Sequence, residues 1–431
     1  MLTSRQWRQL WYLPVLAAAM ALMMLRLMVA ARLFDVEAFA QYNTGLLLST
    51  TFCMLGCLGL QQLLQRDMPI LLARGRERAA LVLLLQAVWV GAACALVAVL
   101  PAALAAGIVQ AHPMVAVLGV LHGLSQQLFV VATVESRSRG DALRYAWQNL
   151  VRAGPVVGGG ALVAWATGSP ALVLATEAVL SLALIGGILG ALLRRGRCSL
   201  GLLATLARRG WRRPAWATAG VMLTVSIVSF VLLNLDRWVA VSWLAPAAFA
   251  QFAFAAIVLL AAQSIQNMVN ATVHPMIARR FGLQGTGAAF RLSSGVSLAT
   301  LAAALVLAWP AHELAQFAIR RWFPAYAPAI ELLWPLLAAA VLRVSDYWSS
   351  FLLICNHERQ LLKLQLGVGA AAAGGWVLFL AGRGGFAPTV LDVCWLSFVL
   401  AAASHAATAG SAFALRASDS TKGRMSHAQS Q

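Results

Sequence analysis

Acidic residues are scarce in this chain, 14 Asp and Glu in 431 positions against 32 Lys and Arg. Charged residues of both signs make up 11%. A soluble domain carries about 25%, so the composition excludes a water-soluble fold of this length. Lysine is nearly missing; Lys363 and Lys422 are the only two, and arginine supplies the other cations. The six cysteines include no CxxC, which excludes a thiolate metal framework. Cys53, Cys57, Cys94, Cys355 and Cys394 sit in or beside apolar segments and Cys198 in a basic loop; they read as small packing residues. No phosphate-binding loop and no GxSxG elbow is present. "HELAQ" (312–316) lacks the second histidine of HExxH, and "GRGGF" (382–386) reads as a turn. The expectation is a chain with no catalytic site, no metal and no cofactor. A nucleotide-hydrolysing engine is not encoded, so ion gradients, substrate flux or a partner would supply the energy of any transport.

What the sequence does have is long apolar runs. Hydrophobic residues fill 61% of positions, in stretches of about 20 or more, the length a helix needs to cross a bilayer. Twelve spans are expected, at 11–33, 38–65, 79–107, 114–134, 147–166, 171–193, 214–235, 245–272, 293–315, 326–354, 361–381 and 388–415. The third, eighth and tenth are long enough to be tilted or broken. The first is too long for the core of a signal peptide and reads as a retained span.

The basic residues orient these spans. With the N-terminus placed in the cytoplasm, the inner stretches hold 24 Lys and Arg and the outer ones only Arg32, Arg237, Arg320, Arg321 and Arg383. Cytoplasmic loops collect Lys and Arg, so both termini are expected inside. This also accounts for most of the net charge of +18 without nucleic acid. The longest loop, 194–213, carries seven of these arginines. It reads as a basic cytoplasmic linker between an N-terminal lobe, 1–193, and a C-terminal lobe, 214–415. Residues 416–431 read as a disordered cytoplasmic tail.

The lobes share a pattern. Ala38-Phe39-Ala40-Gln41-Tyr42 returns as Ala248-Phe249-Ala250-Gln251-Phe252, after the first span of each lobe. A long span follows each copy, then a Pro-to-basic turn, "MPILLARG" (68–75) and "HPMIARRFG" (274–282). The same motifs in the same order at the same topological place indicate an internal duplication, with AFAQ marking equivalent bends. Parallel repeats with a site near the midplane are a known transporter plan. The expected fold is therefore an all-α polytopic membrane protein, about twelve transmembrane helices in two pseudo-symmetric six-helix lobes around a central cavity.

Charges inside spans cost several kcal/mol in lipid and mark functional sites. Arg26 lies late in the first span, and its side chain leans back toward the membrane middle, into a cavity. Arg152 is near the inner end of the fifth span, where snorkelling competes with a substrate contact. Glu177 either faces a cavity as an ion-coupling group or pairs with an arginine. Arg343 and Asp346, three apart on one helix, form a local ion pair or contact substrate or ion. Polar stripes run through Gln263, Asn267, Asn270 and His274; through His122, Gln126 and Thr133; and through Thr50, Cys53, Cys57 and Gln61. Such stripes either glue helices together or line a lumen that hydrogen-bonds hydroxyl-rich substrate. Gly186 and Gly190 form a GxxxG, and the eleventh span is rich in Gly and Ala; both suggest close helix packing.

"ARLFDVEAFAQYNTGLLL" resembles the signature after the first helix of Wzx-type polysaccharide flippases. "NLDRWVAVSWLAPAAFAQF" with "HPMIARR" is similar to its second-half counterpart, including Asp236-Arg237, and "RRWFPAYAPAIELLWPLLAAAVLRV" with "SSFLLICNHER" to its tenth-span region. Ala40 and Ala250 stand near places where that family usually has glycine. The resemblance implies a member of the multidrug/oligosaccharidyl-lipid/polysaccharide exporter superfamily in a bacterial inner membrane. Such a flippase rocks between inward- and outward-open states and carries undecaprenyl-pyrophosphate-linked oligosaccharide to the outer leaflet, for O-antigen, capsule or exopolysaccharide. Its partners would be that lipid-linked substrate, membrane lipid, and a polysaccharide polymerase with chain-length machinery. Arg26 suits pyrophosphate, with Arg152, His122, Gln126, Gln263, Asn267, Asn270 and Arg343 as further substrate contacts. Glu177, Asp346 and Asp236 are the candidates for ion coupling or charge pairing. The alternatives are a cation-coupled multidrug or small-molecule exporter of the same superfamily, and an integral-membrane glycan polymerase or ligase.

Overall fold

The computed structural model describes residues 4–195, 199, 201, 205, 216–355, 357–382 and 387–429. Most of the expected linker, Cys198 and the turn at 383–386 lie outside the described residues. Every regular element among the described residues is helical. Eleven helices are long and apolar enough to cross a membrane, or twelve if one bent pair counts as a span. This is the fold of a multi-pass membrane protein, in which helices satisfy their own backbone groups away from water.

The chain divides into two compact units, Met1–Phe230 and Val231–Gln431. Unit 1 opens with α1 (Ser4–Leu33) and α2 (Val36–Leu55). Between them Asp35 caps α2 by accepting the Ala38 N–H at 2.7 Å, one of the orphan donors of a helix start. AFAQ is therefore the beginning of a helix, not a bend. Then come α3 (Leu60–Ala73), α4 (Glu77–Ala105), α5 (Pro113–Ser138), α6 (Ala142–Thr167) and α7 (Pro170–Arg195). His112 and Pro113 start α5, and Asp141 caps α6. The expected second span is a broken one. α2 and α3 meet at 52°, across a turn where Leu58 and Gly59 have φ of 47° and 82°. The expected third span, by contrast, is the unbroken α4. α1 packs chiefly on α6, α2 on α5, and α5 also on α4 and α7.

The division between units falls inside α8 (Trp216–Trp243), rather than in the linker. Unit 2 continues with α9 (Pro246–Ala255) and α10 (Ile257–Gln284), then α11 (Thr286–Trp322) and a 3-10 stretch, Pro324–Leu332. α12 (Leu333–Val344), α13 (Trp348–Ile354), α14 (Glu358–Gly382) and α15 (Val390–Gln429) complete it. The eighth and tenth spans, long enough to be tilted or broken, are interrupted at Ala256 and at Ser345–Tyr347. α15 runs on to Gln429, through most of the tail expected to be disordered. α12 packs on α15, α10 and α11.

Close helix contact is real, but elsewhere than the sequence suggested. A Cβ at Gly186 or Gly190 would meet nothing within 4 Å, and Gly369 is the one glycine of α14 with a near neighbour, Leu232. The tight seam runs along α5. A Cβ at Gly119 would sit 2.7 Å from the Gly45 carbonyl oxygen, and one at Gly123 2.5 Å from that of Ser49. Gly119 and Gly123 are thus the spacing-of-four pair that lets α2 and α5 approach backbone to backbone.

The duplication also shows in side-chain roles. Gln41, early in α2, donates to the Gln110 carbonyl at 2.9 Å and accepts the His112 N–H at 2.9 Å. Gln251, early in α9, donates to the Ala325 carbonyl at 3.0 Å. Each glutamine ties its motif to a segment 69 or 74 residues downstream, just before α5 in the first half and at the start of the 3-10 stretch in the second.

Candidate functional site

The deepest polar cluster of unit 1 gathers around Glu177, which is fully buried on α7. Its Oε2 lies 3.2 Å from Arg26 Nη1 on α1 and 3.2 Å from His122 Nε2 on α5. The arginine contact is a hydrogen bond; the histidine nitrogen approaches without hydrogen-bond alignment. Oε1 accepts the Tyr42 phenol at 2.7 Å. Behind the histidine, Nδ1 faces Ser49 Oγ at 2.8 Å and Gln126 Nε2 at 3.4 Å. Four helices thus converge on one carboxylate. Arg26, His122, Gln126 and Glu177 are brought together as a single site. Tyr42 and Ser49 complete it, and the sequence reading passed over both. Tyr42 closes the AFAQY motif, and its full burial explains why that position is aromatic.

The pairing settles Glu177 as the partner of Arg26. Burying either charge alone is costly, and mutual attraction offsets that only with further hydrogen bonds. Glu177 has them from Tyr42; Arg26 keeps one buried donor, Nε, unpartnered.

Arg152 sits differently from the expectation. α6 begins at Ala142, five residues before the expected span, so Arg152 lies ~15 Å along the helix at the standard rise and not at its end. It does not snorkel. Its guanidinium stacks 4.6 Å from the Phe129 ring centroid, and Nε donates to Ser181 Oγ at 3.2 Å. Phe129 and Ser181 are themselves mid-helix residues of α5 and α7.

Unit 2 has a second buried network. Asp236 on α8, fully buried, lies 3.2 Å from Arg343 Nη2 on α12 and accepts Ser397 Oγ on α15 at 2.6 Å. Arg343 also donates to the Leu233 carbonyl at 3.2 Å. The expected local pair of Arg343 with Asp346 is not formed. The helix breaks between them, and Asp346 turns instead to Ser349 Oγ (2.9 Å) and Thr408 Oγ1 (3.2 Å). Gln266 donates to the Asp346 carbonyl and Asn270 accepts from Ser350. Gln263 and Asn267 find no hydrogen-bond partner among the described residues, and Asn267 and His274 are exposed, so that stripe does not close into one site. The stripe of Thr50, Cys53, Cys57 and Gln61 is split by the turn after α2. His312 bonds its own neighbours Glu313 and Gln316.

The two networks stand in corresponding places. Asp236 follows Arg26 by 210 residues, the offset that separates the AFAQ copies. Each joins the first span of its half to the fourth and sixth spans, as Arg26–His122–Glu177 and as Asp236–Arg343–Ser397. The charge on the first helix is inverted between the halves. The sequence held this signal, since both positions fall at one offset, but only the partners give it meaning.

No protein-family model matches the chain, and no curated protein matches it. Solved structures do match. An inward-facing multidrug resistance MATE family transporter of the MOP superfamily is 14% identical, with 95% of each chain covered and a TM-score of 0.62. A MOP superfamily transporter from Pyrococcus furiosus, whose binding pocket is described as of reverse polarity and suggestive of a different function, is 13% identical. The match covers 95% of this chain and 96% of that one, at a TM-score of 0.63. A Vibrio cholerae MATE transporter is 14% identical over 95% and 96%, at 0.61. At near-complete coverage of both chains, the arrangement of helices described above is the fold of the MATE transporters of the MOP superfamily.

Proposed function

We propose that the chain is a membrane transporter with no enzymatic chemistry, and that its cargo is anionic. The observation that carries this is the charge of the buried core of unit 1. Two guanidinium groups, Arg26 and Arg152, stand against one carboxylate, Glu177, among hydroxyl and amide groups. Buried charges of this kind are retained for function, and planar guanidinium forks match phosphate oxygens. A lipid-linked pyrophosphate carrying an oligosaccharide has the matching chemistry: a dianionic bridge for arginine, hydroxyls for Gln126, Ser49 and His122, and a polyprenyl tail for the apolar helices. The specific reading is a flippase that moves this lipid from the cytoplasmic to the outer leaflet of a bacterial inner membrane by alternating access, with both termini cytoplasmic.

A second reading is a cation-coupled multidrug exporter. The likeness in fold to a multidrug resistance transporter favours it over the flippase, and Glu177 or Asp346 would be its coupling carboxylate. The sidedness of lipid-linked oligosaccharide in cells lacking the chain separates the two. Accumulation of intact units on the cytoplasmic face, with loss of surface glycan and unchanged drug tolerance, supports the flippase. Normal outer-face units with drug hypersensitivity support the exporter. Under the flippase reading Arg26→Ala abolishes transport while the protein still inserts; normal surface glycan in that variant sinks the pyrophosphate role.

A further inference from the structure

Four helices of unit 1 have an end at one small cavity. Met68 of α3, Leu81 of α4 and Leu192 of α7 form its apolar wall, and Glu77, Glu135, Arg139 and Arg195 its charged one. It holds about 20 Å³, room for one water or one small polar group. Because α4, α5 and α7 are each long and apolar enough to cross a membrane, their ends lie at the level of lipid headgroups. The Glu177 cluster is remote from it: Glu135 lies ~20 Å along α5 from His122 at the standard rise.

The charges of the cavity are only partly matched. Glu135 is buried, with one oxygen on Arg139 and the other on Arg144 at 3.0 Å. Glu77 accepts from Arg139 at 2.9 Å through Oε1, and its Oε2 has no hydrogen-bond partner among the described residues. Arg195 is exposed and pairs with no acid among the described residues, although both glutamates line the same cavity. A carboxylate with a free oxygen and a guanidinium with no partner thus share one notch. Placement of arginine at the end of a span follows from topology alone, but that rule does not call for an acid. Glu77 is the one acid in the run Arg74 to Arg78, and it is the member of that run that lines the cavity.

A ligand that satisfies both groups carries an anion for Arg195, a compact cationic donor for Glu77 and an apolar part for the bilayer. An ethanolamine phospholipid has all three. Its phosphate suits a guanidinium, and its ammonium brings N–H donors in a volume close to that of a water. A choline headgroup has the same charges but three methyl groups and no N–H. A glycerol headgroup has no cation. Basic pockets between transmembrane helices bind lipid headgroups, and here the acid makes the choice among them.

We propose that this notch is a binding site for an aminophospholipid of the surrounding membrane, with its phosphate on Arg195 and its ammonium on Glu77. The lipid is a resident of the edge of unit 1 and not cargo, so the site stands under either transport reading.

The measurement is native mass spectrometry of the purified full-length chain in detergent micelles. Phosphatidylethanolamine, phosphatidylcholine and phosphatidylglycerol with the same acyl chains are titrated separately. The wild type should retain one copy of phosphatidylethanolamine at about tenfold lower concentration than the other two, the worth of one hydrogen bond to a charged group. Glu77→Gln should lose that preference while binding phosphatidylglycerol at least as well as the wild type, which also shows that the variant is folded. Arg195→Gln should weaken phosphatidylethanolamine and phosphatidylglycerol alike, by about tenfold. Arg194→Gln, adjacent in sequence but outside the cavity wall, should behave as the wild type. Equal retention of the three lipids by the wild type, or a preference for phosphatidylglycerol, identifies a general basic collar and overturns the proposal. So does an ethanolamine preference that survives Glu77→Gln, unchanged binding in Arg195→Gln, or a loss in Arg194→Gln as large as in Arg195→Gln.

Discussion

Replacing Glu177 should be among the most damaging single changes in unit 1. Its carboxylate is fully buried and receives Arg26 at 3.2 Å and Tyr42 at 2.7 Å, with His122 at 3.2 Å. Glu177→Leu removes the acceptor of Arg26 and Tyr42 and the charge beside His122 at once. Breaking a buried ion pair by deleting one partner costs about 3–5 kcal/mol, since the remaining charge is left uncompensated. Glu177→Gln keeps an oxygen for the Tyr42 phenol and should fall near the low end, at roughly 3 kcal/mol. The double variant Arg26→Leu with Glu177→Leu leaves no stranded charge. It should be less destabilised than Glu177→Leu alone, with a coupling of about 2 kcal/mol or more in the cycle. Reversible unfolding in mixed detergent micelles, followed by helical circular dichroism, reads all four corners. If Glu177→Leu costs less than about 1 kcal/mol, or the two single effects simply add, the carboxylate does not hold Arg26 and the site described here is wrong.

Gly59 and Gly75 both have positive φ, 82° and 69°, but only a Cβ at Gly59 would strike a neighbour, the Ala219 carbonyl oxygen at 2.1 Å. Gly75→Ala should cost about 1–2 kcal/mol for the left-handed backbone, and Gly59→Ala a further ~1–3 kcal/mol for overpacking; equal unfolding shifts would refute the contact. Gln41→Ala and Gln251→Ala should each free one connection and lose about 1 kcal/mol. Amide exchange should then quicken at 110–112 in the first variant and near 325 in the second, and unchanged exchange in either would remove that glutamine from its role. A reporter fused after Gln431 should be active in the cytoplasm and inactive outside it; the opposite pattern would invert the topology inferred from arginine placement.

Membrane class and span number were legible because they depend on sums. Hydropathy over about 20 residues and the count of arginines per loop are properties of the chain alone. The duplication was legible for a related reason: Gln41 and Gln251 do the same local work, so the residues around them repeat. Breaks were read less well. The turn after α2 needs Leu58 and Gly59 in left-handed conformations, which apolar residues do not advertise. Gly186 and Gly190 have the spacing of a packing seam and lie open, while Gly119 and Gly123 form one, because spacing does not say which helix stands opposite.

The candidate site divides along the same line. By itself the sequence determined that Arg26, Arg152, Glu177, Arg343 and Asp346 lie in apolar surroundings and must be compensated, since that follows from the cost of burying charge. Which charge compensates which was decided only by tertiary structure. Arg343 passes over Asp346, three residues away, for Asp236, 107 residues away, because the helix breaks at Ser345 and turns Asp346 toward Thr408. Arg26 reaches Glu177 across 151 residues, because α1, α5 and α7 converge there. Hydropathy puts Arg152 at a helix end and the fold puts it in the middle of one, because the first turn of α6, with Arg144 and Tyr145, belongs to the helix although these two residues lower the hydropathy that marks a span.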